Sequence, residues 1–523
     1  MDAKLEKQKQ LSRPRFIPVS YASAAPEARI SSLTGDDGDQ ALAWLPLIYC
    51  SADFPLELFE TAISQLIHHP EYNSTLILRS ETVSETTTDF PECIPRLQGL
   101  RAVRNVHRKL LPRRPGRDSG LEQHCTLYAS TAEDDASPST LVLSPIVTDE
   151  QPLPYYHPAV SHIAFRYVLT DSPVLQIEAV PLPGTQTDIS SRLYRTCLAL
   201  LDTLHRYGWG ALTHYQKRVK HDCIIPRETY QDLYLIMRER HKHLVDTWQE
   251  VTDPRKHVFE DIGIATFLML LWKDMYGSNP ISSSAVSSDS KSEPWRNWPR
   301  PPAGFLDLGC GNGLLTHILS AEGYQGLGID LRARTSWSHY PETTQAQLRV
   351  EALDPTTLVG PSTPDGFPSY LKPGVFVIGN HADELTPWVP VLSTLCSGSG
   401  YLSIPCCAWT FDMRYERSST QNYPFPEEDF IQRLNLGGEG SNTSSYSMYR
   451  IWLASLSAYC GWKIECETLR IPSTRNWAII GRARTYDPNE DTEIRRRVEE
   501  IVENVQERGL FRTRTPEGKA GEH

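Results

Sequence analysis

Apolar and polar residues alternate through SHIAFRYVLTDSPVLQIEAV (161–180), with a Ser-Pro pair breaking the run. This pattern predicts two strands joined by a turn. Over residues 192–207 the period lengthens, and Leu193, Cys197, Leu200, Leu201 and Leu204 recur at helical spacing. Residues 230–251 and 258–272 read as two more helices. The stretch SNPISSSAVSSDSKSEP (278–294) is poor in apolar residues and rich in serine, as expected of a linker or insertion. From residue 303 to about 486, short apolar runs alternate with helical stretches, the pattern of a parallel sheet with crossover helices. A charged helix, TEIRRRVEEIVENVQERG, begins the tail.

The pattern divides the chain into a flexible arm (1–40), an α+β domain (41–277), a Ser-rich linker (278–300), an α/β domain (301–486) and a charged helix with its tail (487–523). A length of 523 residues also calls for more than one core. The opening MDAKLEKQKQLSRPR has no apolar core, so no secretory leader is expected there. The longest apolar run, near residues 262–272, is too short to span a bilayer. Eleven cysteines are scattered with no CxxC pair, which suits reduced thiols in a cytosolic or nuclear protein. The net charge of −12 argues against coating nucleic acid through bulk charge, but it leaves room for a local basic patch.

Such a patch is present. Arg101, Arg104, Arg108, Lys109, Arg113, Arg114 and Arg117 fall in seventeen positions that contain no acid. Its Pro-rich end, LLPRRPGR, suits an extended arm better than a helix. Lys217, Arg218 and Lys220, beside Tyr215, form a second cluster. Both are candidates for RNA backbone contact, although a run of charge is also what any solvated face carries.

The strongest chemical signal is LDLGCGNGLLTHILSAEGYQGLGIDLR, starting at Leu306. Gly309, Gly311 and Gly313 stand at alternate positions, between an apolar strand ending near Asp307 and a helical stretch. Glycine there lets a ligand approach the backbone beside a helix N-terminus. Dinucleotide loops space their glycines as GxGxxG, and a carboxylate at Asp307 would repel a pyrophosphate. S-adenosylmethionine, with its ammonium and sulfonium, fits better. Asp330, at the end of the next strand, can take two ribose hydroxyls. Asp354 lies where a third strand would end, and is either an adenine contact or a turn residue.

A fourth strand, VFVI, runs into GNHADELTPW, which places Asn380, His381, Asp383 and Glu384 at the ligand-binding edge of the sheet. They are candidates for the catalytic groups, while Asp383 and Glu384 could alternatively cap the next helix. Cys406 and Cys407 follow a fifth strand. Adjacent strand residues face opposite ways, so the pair is not expected to serve one ligand, and nothing in the sequence calls for a metal.

FLDLGCGNGLLTHILSAEGYQGLGIDLRAR, VIGNHADELTPW and IPCCAWTFD together closely resemble the eukaryotic tRNA uridine-44 2′-O-methyltransferase family. HRKLLPRRPGRD, YQKRVKHD and EDIGIATFLMLLW extend the resemblance over most of residues 100–485. The resemblance implies a class I, Rossmann-like seven-stranded methyltransferase domain behind an N-terminal extension. It also implies methyl transfer from S-adenosylmethionine to a uridine 2′-oxygen, typically of serine tRNA, in the cytoplasm. Asp307, Gly309, Gly311, Gly313 and Asp330 match the cofactor motif. The Lys-Asp-Lys-Glu tetrad of many 2′-O-methyltransferases has no counterpart here, so the general base stays open among Asp383, Glu384 and His381, with Asp383 first. A methyltransferase acting on protein or another RNA, and an inactive tRNA-binding adapter, are the alternatives.

Overall fold

The computed structural model describes residues 13–23, 31–38, 40–133, 136–147, 152–215, 219–277, 293–359, 367–418, 420, 422–437, 444–486 and 491–513. The chain forms two compact units, Met1–Gln216 and Lys217–His523.

The first unit is an eight-stranded antiparallel sheet with helices. Val160–Val168 pairs with Val174–Pro181, so the predicted hairpin forms, and Arg192–Leu212 is the predicted helix, extended at its C-terminal end. That helix buries Leu193, Cys197, Leu201 and Leu204 in a core shared with the sheet and the helix Phe59–His68. The arm expected at 1–40 is partly built in. Val19–Ser20 pairs with Leu45–Ser51, and Gly35–Asp36 pairs with Arg96–Leu97.

The second unit carries a seven-stranded mixed sheet. Its strands are β1 (Phe305–Leu308), β2 (Gly326–Asp330), β3 (Leu348–Val350), β4 (Phe376–Asn380), β5 (Gly400–Ile404), β6 (Trp462–Thr468) and β7 (Trp477–Arg484). The order is β3-β2-β1-β4-β5-β7-β6; the first five strands run parallel and β7 pairs antiparallel to both β5 and β6. Strand order reverses between β1 and β4, which opens a crevice beyond their carboxyl ends. Side chains alternate between two cores, one on each face: Phe376 and Ile378 join one, Val377 the other.

The unit boundary lies at 216/217, not in the Ser-rich stretch expected at 278–300, of which residues 278–292 lie outside the described residues. The reason is the helix Pro254–Tyr276, which is apolar on nearly every side from Ile262 to Trp272 and must be buried all round. It packs on the sheet of the second unit, where Trp272 stacks on Phe305 with ring centroids 6.0 Å apart. The helix predicted over 230–251 is observed as Arg227–His241, followed by a short 3-10 turn. The charged tail helix, Asp491–Arg508, is not merely a solvated rod. It buries Val498, Val502 and Val505 in the second unit's core, and Arg495 donates to the Leu395 carbonyl. Among the described residues no helix is long and apolar enough to cross a membrane.

Candidate active site

The turn after β1 explains its glycines. Gly309, Gly311 and Gly313 have φ of 69°, 54° and 74°, the left-handed region that side chains disfavour. The turn is tied down from several sides. Gly309 and Cys310 donate to the Ile329 carbonyl at the end of β2, and Trp337 Nε1 donates to the Gly311 carbonyl at 2.9 Å. Gly311 N–H donates to Asp330 Oδ2, and Asn312 Oδ1 accepts from Leu314 N–H at the start of the helix Leu314–Ala321. A Cβ built on Gly311 would meet nothing within 4 Å, so the backbone there faces open space that a ligand can occupy.

That space is a cavity of about 970 Å³. It brings together Asp307, Gly309, Gly311, Asp330, Asn380, His381, Asp383 and Glu384, most of the residues singled out from the sequence. Gly313 does not line it; its left-handed turn starts the helix, close against Leu348 and Trp337.

Three acids, Asp307, Asp261 and Glu260, line one side of the cavity. Asp307 is 1% exposed; its Oδ2 accepts from Thr316 Oγ1 at 3.1 Å, while Oδ1 is buried without a partner. Burial raises this carboxyl to about 7. Asp261, on the helix Pro254–Tyr276, is raised to about 8 by burial and by the neighbouring Glu260 carboxylate. Glu260 Oε1 lies 3.5 Å from His381 Nε2, and this contact raises the imidazole above its ordinary range. Glu260 and Asp261 were missed as site residues. Their signal was two acids heading the run IGIATFLMLLW, which is apolar but for Thr266.

The loop after β4 is bent sharply, with φ of 57° at His381 and 45° at Asp383. Asp383 and Glu384 sit in a 3-10 turn, Asp383–Leu385, whose N-cap is Ala382, so neither acid is the N-cap. Asn380 ends β4 with a buried Oδ1 that has no partner. Cys406 and Cys407 lie in the loop after β5, where strand alternation no longer applies, and both residues line the cavity. Cys406 Sγ donates to Asp383 Oδ1 at 3.4 Å. The two residues therefore do not face opposite ways, as strand alternation would have them, but come together at one cavity.

Asp354 is a turn residue. Its Oδ1 accepts from Thr356 N–H and Oγ1, capping Pro355–Thr357, while Glu351 and Leu353 are the β3-side residues that line the cavity.

The basic stretch 101–117 is mostly strand, not arm, since Leu100–Pro112 pairs along both edges. Arg108 is only 3% exposed and is not an RNA contact. It donates to the Leu66 and Ile67 carbonyls at the end of the helix Phe59–His68 and to Gln123 Oε1. Arg104 is ion-paired with Glu60 and Glu85, acids that the fold brings in from neighbouring elements. Arg101 is half-buried. Lys109, Arg113, Arg114 and Arg117 are exposed at the end of the strand, with Arg113 Nε bonded to the Ile77 carbonyl. Lys220 is exposed, and Lys217 and Arg218 lie outside the described residues.

Residues 20–218 match a family described as "TRM44-like, N-terminal bet v1-like domain". Residues 224–289 and 295–355 match "Predicted AdoMet-dependent methyltransferase". Among curated proteins, the chain is 36% identical to the tRNA (uracil-O(2)-)-methyltransferase of Schizosaccharomyces pombe, covering 85% of this chain and 86% of the relative. It is 33% identical to the protein of the same name from Neurospora crassa, covering 91% and 93%. With the Saccharomyces cerevisiae protein of that name the identity is 30%, over 87% and 89%.

Proposed function

The chain belongs to the family of tRNA (uracil-O(2)-)-methyltransferases, and from that membership we propose that its acceptor is the ribose 2′-oxygen of uridine 44 in serine tRNA, modified in the cytoplasm. The protein is a tRNA methyltransferase that depends on S-adenosylmethionine. We read its second unit as a class I, Rossmann-like domain. The parallel strands, the antiparallel β6–β7 end and the glycine turn after β1 support that reading.

One observation carries the reading. The glycine turn, with open space at Gly311, and the polar loop after β4 face into the same cavity. The donor set fits the cofactor. The buried, unpartnered Oδ1 of Asp307 would take a cation, Asp330 would take ribose hydroxyls, and the glycines keep the backbone clear. Bound there, S-adenosylmethionine supplies the methyl group on a positively charged sulfur. The remaining task for the protein is to hold the weakly nucleophilic hydroxyl in line, exclude water and take its proton.

Asn380, with a free buried carbonyl oxygen, would orient the hydroxyl. His381, Asp383 and Glu384 are the groups that would take the proton. The Glu260 carboxylate raises the His381 imidazole above the ordinary histidine range, so the ring accepts a proton more strongly, and its free-base form is reached at higher pH than in an isolated histidine. In the first unit, Lys109, Arg113, Arg114 and Arg117 would contact tRNA phosphates; Lys220, with Lys217 and Arg218, is a further candidate cluster.

Nucleoside mass spectrometry of tRNA from a strain lacking this gene tests the proposal. Loss of 2′-O-methyluridine, mapped to position 44 of serine tRNA and restored by the purified protein, is expected. An unchanged level would overturn it.

A further inference from the structure

The loops after β4 and β5 bring two thiols and a carboxylate to one point. Cys406 Sγ, Cys407 Sγ and an oxygen of Asp383 all lie within 4.8 Å of one another, and all three residues are half-buried. Among the described residues no other group of three His, Cys, Asp or Glu side chains comes together this way. The remaining cysteines stand apart from such a group, most of them as buried filler. Cys406 and Cys407 are different, because both line the cavity beside Asn380 and Gly311. The loop that carries them is pinned, since Tyr446 Oη donates to the Pro405 carbonyl at 2.8 Å.

We propose that Cys406, Cys407 and Asp383 bind a zinc ion whose fourth position opens into the cavity. Three protein ligands with one open position is the arrangement of catalytic zinc sites, and soft thiolates favour zinc over magnesium or calcium. The spacing suits it. Tetrahedral zinc with ordinary bond lengths sets a sulfur and an oxygen ligand about 3.5 Å apart. Cys406 Sγ and Asp383 Oδ1 are already 3.4 Å apart. Binding releases the two thiol protons and leaves a site of net charge −1.

The site gives the 2′-hydroxyl a place to bind, a step that rests on the methyltransferase reading above. The hydroxyl oxygen takes the fourth position and becomes more acidic there. Its proton passes to the His381 imidazole, which lines the same cavity, and the oxygen stays on zinc until it attacks the methyl carbon; the O–C bond forms as the C–S bond of the sulfonium breaks, and the cofactor leaves as a neutral thioether. Asp383 is then a ligand, and the proton falls to His381.

Full-length protein, made without a metal-chelating tag and purified without chelator, is analysed for metal by plasma mass spectrometry. About one zinc per chain is expected, retained in Cys93→Ser and lost in the double variant Cys406→Ser/Cys407→Ser. Cobalt(II) added to metal-stripped protein should give a thiolate charge-transfer band. Asp383→Asn should weaken cobalt binding by more than the ~10–100-fold typical of losing a partner one shell further out. Calorimetry with S-adenosylmethionine checks that each variant is folded. Protein that binds S-adenosylmethionine but holds no zinc and gives no cobalt band overturns the site. So does a Cys406–Cys407 disulfide in freshly isolated protein. The two proposals fail separately: metal-free protein that methylates tRNA removes only the zinc, and zinc-loaded protein that leaves tRNA unmethylated removes only the function.

Discussion

Asp330 Oδ2 accepts a 2.9 Å hydrogen bond from the backbone N–H of Gly311, so the acid at the end of β2 holds the turn that follows β1. Asp330 therefore has two tasks, to shape the turn and to present a carboxylate to the cavity. Asp330→Ala loses both, and S-adenosylmethionine affinity should fall by about 1–3 kcal/mol, roughly 5- to 150-fold. Gly311→Val should be worse for binding than for folding. Its Cβ has room, but it fills the space where the ligand would lie, and at φ 54° the strain adds about 1 kcal/mol. Calorimetry on both variants, with thermal melts alongside, checks this. Unchanged affinity in both removes the cofactor from this turn.

Asp307 makes stability depend on pH in an unusual direction. Its carboxyl is raised from about 3.8 in the unfolded chain to about 7 in the folded protein. Between those values the native state holds a proton that the unfolded state has lost, so stability falls as pH rises across that window. Asp307→Asn keeps the shape without the buried charge. It should raise the melting temperature of the cofactor-free protein by a few degrees at pH 7–8, and make no difference below about pH 4. The same variant should bind S-adenosylmethionine more weakly. A lower melting temperature at pH 8 would mean that the charge is already neutralised within the fold.

The first unit separates structural from phosphate-binding cations. Arg108→Ala leaves the Leu66 and Ile67 carbonyls and Gln123 Oε1 without their buried donor, and should cost about 2–4 kcal/mol of stability. Lys109, Arg114 and Arg117 changed together to Ala should leave stability nearly untouched. They should weaken tRNA binding and lower its salt slope by about 2–3. Binding isotherms at several salt concentrations, with urea melts, distinguish the two sets. An unchanged salt slope would make the second set an ordinary solvated surface.

These cases show which parts of the site could be read from sequence. The turn after β1 was legible because its constraint is local: three left-handed residues in five positions leave a glycine signature. Asp330 was legible for the same reason, as the last residue of a short apolar strand. Arg108 was not, because its carbonyl partners Leu66 and Ile67 lie 42 and 41 residues away in sequence, and only the register of Leu100–Pro112 turns it inward. Glu260 and Asp261 reach the site from a helix about fifty residues before β1, a placement set by packing of Trp272 on Phe305. Cys406 and Cys407 were misjudged because strand alternation was carried past the end of β5.

The last prediction concerns the base. His381 Nε2 lies 3.5 Å from Glu260 Oε1, and that contact raises the imidazole above its usual 6.5. The pair's contribution to stability is therefore complete below pH 6.5 and is lost as pH rises through the folded value. A histidine base must be neutral to accept a proton, so the methylation rate should climb through that same raised value. Glu260→Gln removes the charge that holds the proton on His381. The rising limb of the rate profile should move to more acid pH, with a plateau within about 10-fold of the parent. His381→Ala should lower the plateau by roughly 100-fold or more and abolish the limb. Single-turnover methylation of unmodified tRNA, with both substrates saturating, measures both effects. A merely structural role for Glu260 would lower the rate at every pH and leave the limb in place, and that outcome would move the search for the base to Glu384.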